Sequence, residues 1–190
     1  MAHPLEIAYG LSATEILDAV SKRFRLRAAL EGAVAEVQME RHVALLVANE
    51  IERYEAHDLD GHPDFSLWLP GRDQPHFAEC KTVRNSQEAY RVKGQIVAYK
   101  VETQKTRAAK GDATSRLYGL DQFEILGVCL GKKTGDWTQF LYVRSADLER
   151  HKEHPHKLAA MQRVPLPDAE NLRPWYSSLG ELLRDHYLRQ

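Results

Sequence analysis

Apolar positions recur along this chain with two different periods, and the change from one to the other marks the predicted elements. From Ala33 to Ala56 helix breakers are few, and Val37, Ala44, Val47, Ala48, Ile51 and Tyr54 recur at helical spacing. Upstream, Ser12 and Glu15 form a capping-box pattern that predicts a helix running towards Leu30. Ile16, Leu17, Val20 and Phe24 form its apolar face, and Gly32 separates it from the next helix. After Gly61 the period shortens to two. Asp64 to Leu69 and His76 to Val83 read as strands joined by a turn at Pro70-Gly71, and Tyr99 to Arg107 alternates Tyr99, Val101 and Thr103 with charged neighbours. Ala108 to Tyr118 reads as a loop. Phe123 to Leu130 and Trp137 to Arg144 read as further strands, with Gly131 to Asp136 as the turn between them. Another helix and an irregular stretch broken by Pro165 and Pro167 follow; Ser178 and Glu181 then cap a final helix bearing Leu179, Leu182 and Leu183. The expected architecture is α/β: a central mixed β-sheet flanked by α-helices. It is expected as one domain, with an N-terminal helix (1–32), a core (33–144) and a C-terminal helical extension (145–190).

The turn at Pro70-Gly71 folds the chain back and brings Asp64 beside Glu79. Side chains alternate along a strand, so Glu79 and Lys81 project to one face and Cys80 to the other. Two carboxylates and an amine then converge at one spot. That set suits hydrolysis of a phosphodiester, because hard oxygen ligands hold Mg²⁺ and a cation lies near the attacking water and the phosphate.

These residues resemble the PD-(D/E)xK nuclease superfamily, the fold of many restriction endonucleases, with Pro63-Asp64 and Glu79-Cys80-Lys81 as the two halves of its motif. The resemblance implies a restriction-endonuclease-like core in which Asp64, Glu79 and the Cys80 backbone carbonyl bind Mg²⁺, for which Mn²⁺ substitutes. Lys81 then positions or activates the water. A second match is longer. Ala35 to His42, Gln104 to Arg107, Lys110 to Asp112, Ser115-Arg116, Tyr118 and Gln122 to Leu126 look like segments of compact bacterial restriction-endonuclease-like proteins, and the matches together span about residues 33 to 142. Gln95 and Tyr99 offer a rival local reading. They resemble the Gln-x-x-x-Tyr element that exonuclease-type members carry on the helix after Glu-x-Lys; Gly94 and the later alternation argue against such a helix.

At about 100° per residue, Glu36 and Glu40 fall within the apolar arc of the second helix. One account pairs them with Arg41 or another base, or leaves that end of the helix more exposed than the arc implies. The other sends Glu40, and after it Glu36, to the metal, since a buried carboxylate with no cation protonates whereas a nearby Mg²⁺ keeps it charged.

The near-neutral total, net charge −1, hides a segregation. Acids dominate between Glu36 and Glu79. From Lys81 to Arg116 the balance reverses, with Lys81, Arg84, Arg91, Lys93, Lys100, Lys105, Arg107, Lys110 and Arg116 against Glu88, Glu102 and Asp112. A solvated surface explains most charge runs. Beside a nuclease motif, the run also fits contact with DNA, and Arg84, Lys105, Arg107, Lys110, Ser115, Arg116 and Tyr118 are the candidates to reach phosphates and base edges.

Composition sets the outer limits. With 190 residues, 43% of them hydrophobic, the chain is long enough for a real core. The N-terminus has no apolar signal segment and no run approaches a membrane helix, so a cytoplasmic protein without membrane contact is expected. Two cysteines, Cys80 and Cys129, without paired spacing argue against a disulfide framework or structural zinc, and a small buried filler is the expected role of Cys80. His151, His154 and His156 are broken up by Pro155 and lack a firm further ligand. Gly131-Lys-Lys-Thr134 lacks the upstream glycine of a phosphate loop. The reading is therefore an Mg²⁺-dependent endodeoxyribonuclease, with restriction of foreign double-stranded DNA as the first expectation. A homodimer and a cognate methyltransferase are the expected partners. A structure-specific repair or recombination nuclease and an inactive DNA-binding module of the same fold are the alternatives.

Overall fold

The computed structural model describes residues 2–59, 61–85, 87–105 and 114–188. The chain divides into two compact units, Met1–Val34 and Ala35–Gln190. In the first, α1 (Pro4–Tyr9) and α2 (Ala13–Ser21) each begin with a capping box, His3 with Glu6 and Ser12 with Glu15. Reciprocal side-chain bonds thereby satisfy N–H groups that a helix start leaves open. The helix begun at Ser12 stops at Ser21, and α3 (Phe24–Ala44) then continues through Gly32, where a boundary was expected. A lone glycine costs a helix interior only about 1 kcal/mol, too little to divide a 21-residue helix.

In the second unit, α3 buries Ala35, Met39 and Val43, one residue every turn. It ends well before Ala56. Ala48 takes a positive φ of 74°, its N–H donates to the Ile51 carbonyl at 2.9 Å, and Arg53–Ala56 becomes a strand, β1. Pairing with β2 (Phe65–Trp68), from Arg53↔Trp68 to Ala56↔Phe65, overrides the helical spacing of Val47, Ile51 and Tyr54.

The main sheet adds β3 (His76–Thr82), β6 (Ile125–Cys129) and β7 (Phe140–Arg144) in the order β1-β2-β3-β6-β7. Every neighbour pair is antiparallel except β3–β6, which is parallel with Glu79 opposite Leu126 and Lys81 opposite Val128. All five residues of β6 are buried. Ile125 and Cys129 join one core with Met39, Val43, Leu67 and Tyr142, whereas Leu126 and Val128 join another with Val101, Val143 and Leu158. Burial on both faces explains why this strand reads as a continuous apolar run.

The two faces are covered differently. α3 and α5 (Leu179–His186) serve the first core, with Ser178 capping α5 and Leu182 and Leu183 fully buried. The second core lies under a smaller antiparallel sheet of β4 (Ala89–Val92), β5 (Gln95–Glu102) and β8 (Met161–Val164), ordered β4-β5-β8. Flanking helices were expected; on this face a sheet takes their place. The fold is thus mixed α/β around a five-stranded mixed sheet. Residues 131–134 form a short helical turn, α4, where a plain turn was expected. After Arg144 a 3-10 turn and β8 replace the expected helix. No helix among the described residues is long and apolar enough to cross a membrane.

Leu67 lies in β2 with no exposed surface. Leu67→Ala is expected to lower the unfolding free energy by about 2–5 kcal/mol through lost burial and the cavity left behind. Val97→Ala, at a site 38% exposed, should cost less than about 1 kcal/mol. Urea denaturation of both variants checks the difference, and equal losses would contradict this core.

Candidate active site

The site begins where β3 outruns its neighbour. β2 starts at Phe65, opposite Ala78, whereas β3 continues to Thr82. Backbone groups of successive strand residues point to opposite sides. Those of Phe77 and Val83 bond towards β6, at Glu124 and Cys129 respectively, so those of Ala78 and Cys80 face β2. The Cys80 N–H has no β2 ladder partner left. Asp64, the residue before β2, accepts it through Oδ2 at 2.7 Å. A side chain thus completes the ladder, and the Cys80 carbonyl faces the same side as the Asp64 carboxylate.

Glu79 and Lys81 project together from the opposite face to Cys80, as strand alternation requires. Glu79 is buried, and its Oε1 accepts from both Lys81 Nζ and the Tyr118 hydroxyl, the latter at 2.5 Å. The Lys81 ammonium lies 5.6 Å from the centre of the Tyr118 ring, and the lysine side chain keeps about a quarter of its surface in solvent. Both donors address one oxygen of Glu79, Oε1, so Oε2, Asp64 Oδ1 and the Cys80 carbonyl take no part in these bonds. That donor set fits a hard divalent cation such as Mg²⁺. Among the described residues no three His, Cys, Asp or Glu side chains form a metal-holding group. Two carboxylates, one carbonyl and water suffice for Mg²⁺, which keeps several of its waters.

Negative charge is in excess here. Burial raises the Asp64 carboxyl to about 7, Glu79 and Glu36 push it the same way, and Lys81 and the Cys80 N–H only partly oppose them. Glu36 is also raised, by desolvation first, with Asp58 and Glu79 adding to the shift and Lys81 opposing it. Burial works against the charge on Lys81, yet Glu79, Tyr118 and Asp64 hold its pKa above the ordinary lysine range. Burial likewise raises Tyr118 and the Cys80 thiol. Cys80 packs in the core, the filler role expected of it.

The sequence-derived residues separate into groups. Asp64, Glu79, Lys81 and the Cys80 main chain come together. Of the two helix acids, Glu36 acts on Asp64 and is acted on by Lys81, whereas Glu40 accepts a 3.2 Å bond from the Tyr54 hydroxyl. Neither acid is thereby singled out: Glu36 is exposed and Glu40 half-buried, because α3 turns Ala35, Met39 and Val43 inward, which sets both acids at the edge of the buried face rather than within it. Tyr118 is buried on Glu79 and does not present itself to base edges. Its place in a loop concealed this role. Arg84 pairs with Glu88 and Glu102, and Arg116 bonds the Lys105 carbonyl and Glu102. Lys105 lies 5.9 Å from the centre of the Tyr118 ring, and Ser115 is intermediate in exposure. Arg107 and Lys110 lie outside the described residues. Gln95 and Tyr99 belong to β5, which removes the helical reading of that pair. Sequence reasoning passed over Asp58, whose charge adds to the shift on Glu36.

No family model matches the chain, and no curated protein or solved structure is significantly similar to it.

The raised Asp64 pKa sets a stability profile in metal-free buffer. In the native state the carboxyl keeps its proton up to about 7, whereas an unfolded Asp ionises near ~4. The native state then binds more protons within that window, so stability falls as pH rises through it. Asp64→Asn keeps an acceptor for the Cys80 N–H but has no proton to lose. The variant should gain stability relative to wild type as pH rises from about 4 to about 7 and level off above. Urea midpoints in EDTA across that range check this; a constant difference contradicts it.

Proposed function

We propose that this chain is an Mg²⁺-dependent endonuclease that hydrolyses phosphodiester bonds of double-stranded DNA. The observation that carries this is the meeting of Asp64, Glu79 and Lys81 about the overhang of β3, with the Cys80 carbonyl facing the same side as Asp64. Asp64, Glu79 and that carbonyl would hold the ion. When bound, Mg²⁺ there supplies Lewis-acid polarisation of the phosphate and acidifies water.

The protein's own groups divide the remaining work. Glu79 is fixed from one side by Lys81 and Tyr118, which leaves its second oxygen oriented. Lys81 is held protonated by its acidic surroundings. It therefore serves as a donor that positions the water and stabilises negative charge developing on the phosphate, rather than as a base. Glu36 adds negative charge near Asp64 that favours a cation there.

The motif Pro63-Asp64…Glu79-Cys80-Lys81 supports assignment to the PD-(D/E)xK superfamily and, within it, to the restriction endonucleases. Cleavage of foreign DNA by a homodimer, beside a methyltransferase that protects host sites, is the setting that follows.

The test is incubation with plasmid, linear and branched DNA in Mg²⁺, Mn²⁺ or EDTA. Wild type should cut linear duplex with either metal and not in EDTA. Asp64→Asn and Lys81→Ala should each lose at least about 100-fold in rate, an effect of about 2.7 kcal/mol, while keeping wild-type circular dichroism. Variants that cut at the wild-type rate would refute the assignment. Cutting of branched DNA alone would move it to a repair or recombination nuclease, and no cutting, with no Mg²⁺-induced rise in melting temperature, would leave an inactive module.

A further inference from the structure

The outer face of the small sheet carries a cluster that the carboxylate site does not use. β4 and β5 are joined at Lys93-Gly94, both with positive φ, 49° and 85°. From Ala89 to Glu102 this hairpin contains Arg91, Lys93 and Lys100 against one acid, Glu102, which Arg84 and Arg116 engage. Tyr90 pairs with Ala98, and Lys100 pairs with Arg163 of β8. Residues directly opposite, and those two apart on a strand, share a face. Tyr90, Lys100 and Arg163 therefore lie together. The Arg163 guanidinium is 4.4 Å from the centre of the Tyr90 ring, and the Lys100 ammonium is 5.0 Å from it.

One aromatic ring thus holds two cations contributed by strands some 60 residues apart in sequence. Attraction to the ring restrains both long side chains, which lowers the entropy they lose on gripping an anion. A guanidinium beside a ring also keeps donors for phosphate oxygens. The nearby carboxylates are already engaged, since Arg84 holds Glu88 and Glu102 and Arg116 also reaches Glu102. The face adjoins the catalytic strand. Val83, two residues after Lys81, bridges to Val101, and the Arg84 N–H donates to the Lys100 carbonyl at 2.7 Å.

We propose that the outer face of β4–β5–β8 is a phosphate grip for nucleic acid, in which Lys100 and Arg163 contact the backbone of the strand leading to the Asp64–Glu79–Lys81 site and Tyr90 positions both. Only the choice of DNA as the polyanion rests on the nuclease reading; the grip itself needs neither metal nor turnover.

Binding of a fluorescently labelled duplex oligonucleotide to the full chain, measured by anisotropy in EDTA at several salt concentrations, separates the two. Lys100→Glu and Arg163→Glu should each weaken binding about tenfold or more and lower the slope of log K against log salt by about 1. Tyr90→Leu should weaken it about threefold to tenfold with the slope unchanged, the mark of a positioning residue. Arg72→Glu, at an exposed site elsewhere, should bind as wild type does. Unchanged melting temperatures confirm that the variants fold. Wild-type affinity in both cation variants, or no DNA binding by the wild type, overturns the grip. Binding that falls as described in a protein that never cuts supports the grip and defeats the nuclease reading; cutting with binding indifferent to these variants does the reverse.

Discussion

A single hydrogen bond, from the Cys80 N–H to Asp64 Oδ2, joins the architecture to the candidate site. It exists because β3 is longer than β2, so that a backbone donor in the middle of β3 that points away from β6 has no strand on that side. A donor left unmet in a partly buried place costs about 1–3 kcal/mol. Asp64 meets that need and is thereby fixed one residue outside the sheet, next to Glu79. The pairing of β2 with β3 sets where the overhang falls. A slip of one residue would exchange the faces of every side chain on the strand, and would send Glu79 and Lys81 into the core that now holds Cys80.

The same placement explains the electrostatics. Asp64, Glu79 and Glu36 act on one another, Asp58 adds to the charge felt by Glu36, and Lys81 is set against Asp64 and Glu36. Lys81 is committed to Glu79, so its charge does not relieve Asp64 fully. The protein carries this repulsion in its folded state, and a set of oxygen ligands with surplus negative charge is the condition under which a divalent cation binds favourably.

Much of this was legible in the chain. β2, β3, β6 and β7 announce themselves by alternation or by continuous apolar character. Asp64, Glu79 and Lys81 could be joined because only one turn, Pro70-Gly71, separates their strands. Features that depend on distant partners were hidden. Glu36 and Glu40 stand four residues apart on α3, and periodicity cannot rank two positions one turn apart. Residues 53–56 show helical spacing but gain more from pairing with β2. Met161 to Val164 is too short to display a period, and it becomes a strand only because β5 offers an edge. Tyr118 stands in the sequence as a candidate for DNA contact, yet its bond to Glu79 spans 39 residues and no local pattern encodes it.

The pairing of β5 with β8 carries a consequence for any attempt to trim the protein. A fragment ending after β7 would retain Asp64, Glu79, Lys81 and Tyr118, and by sequence alone would pass as a complete catalytic module. It would lack the segment whose removal leaves β5 with bare N–H and C=O groups along one edge. An uncovered edge of that kind recruits strands from other molecules, so insolubility of such a fragment would report a lost neighbour and say nothing about the chemistry it was made to isolate.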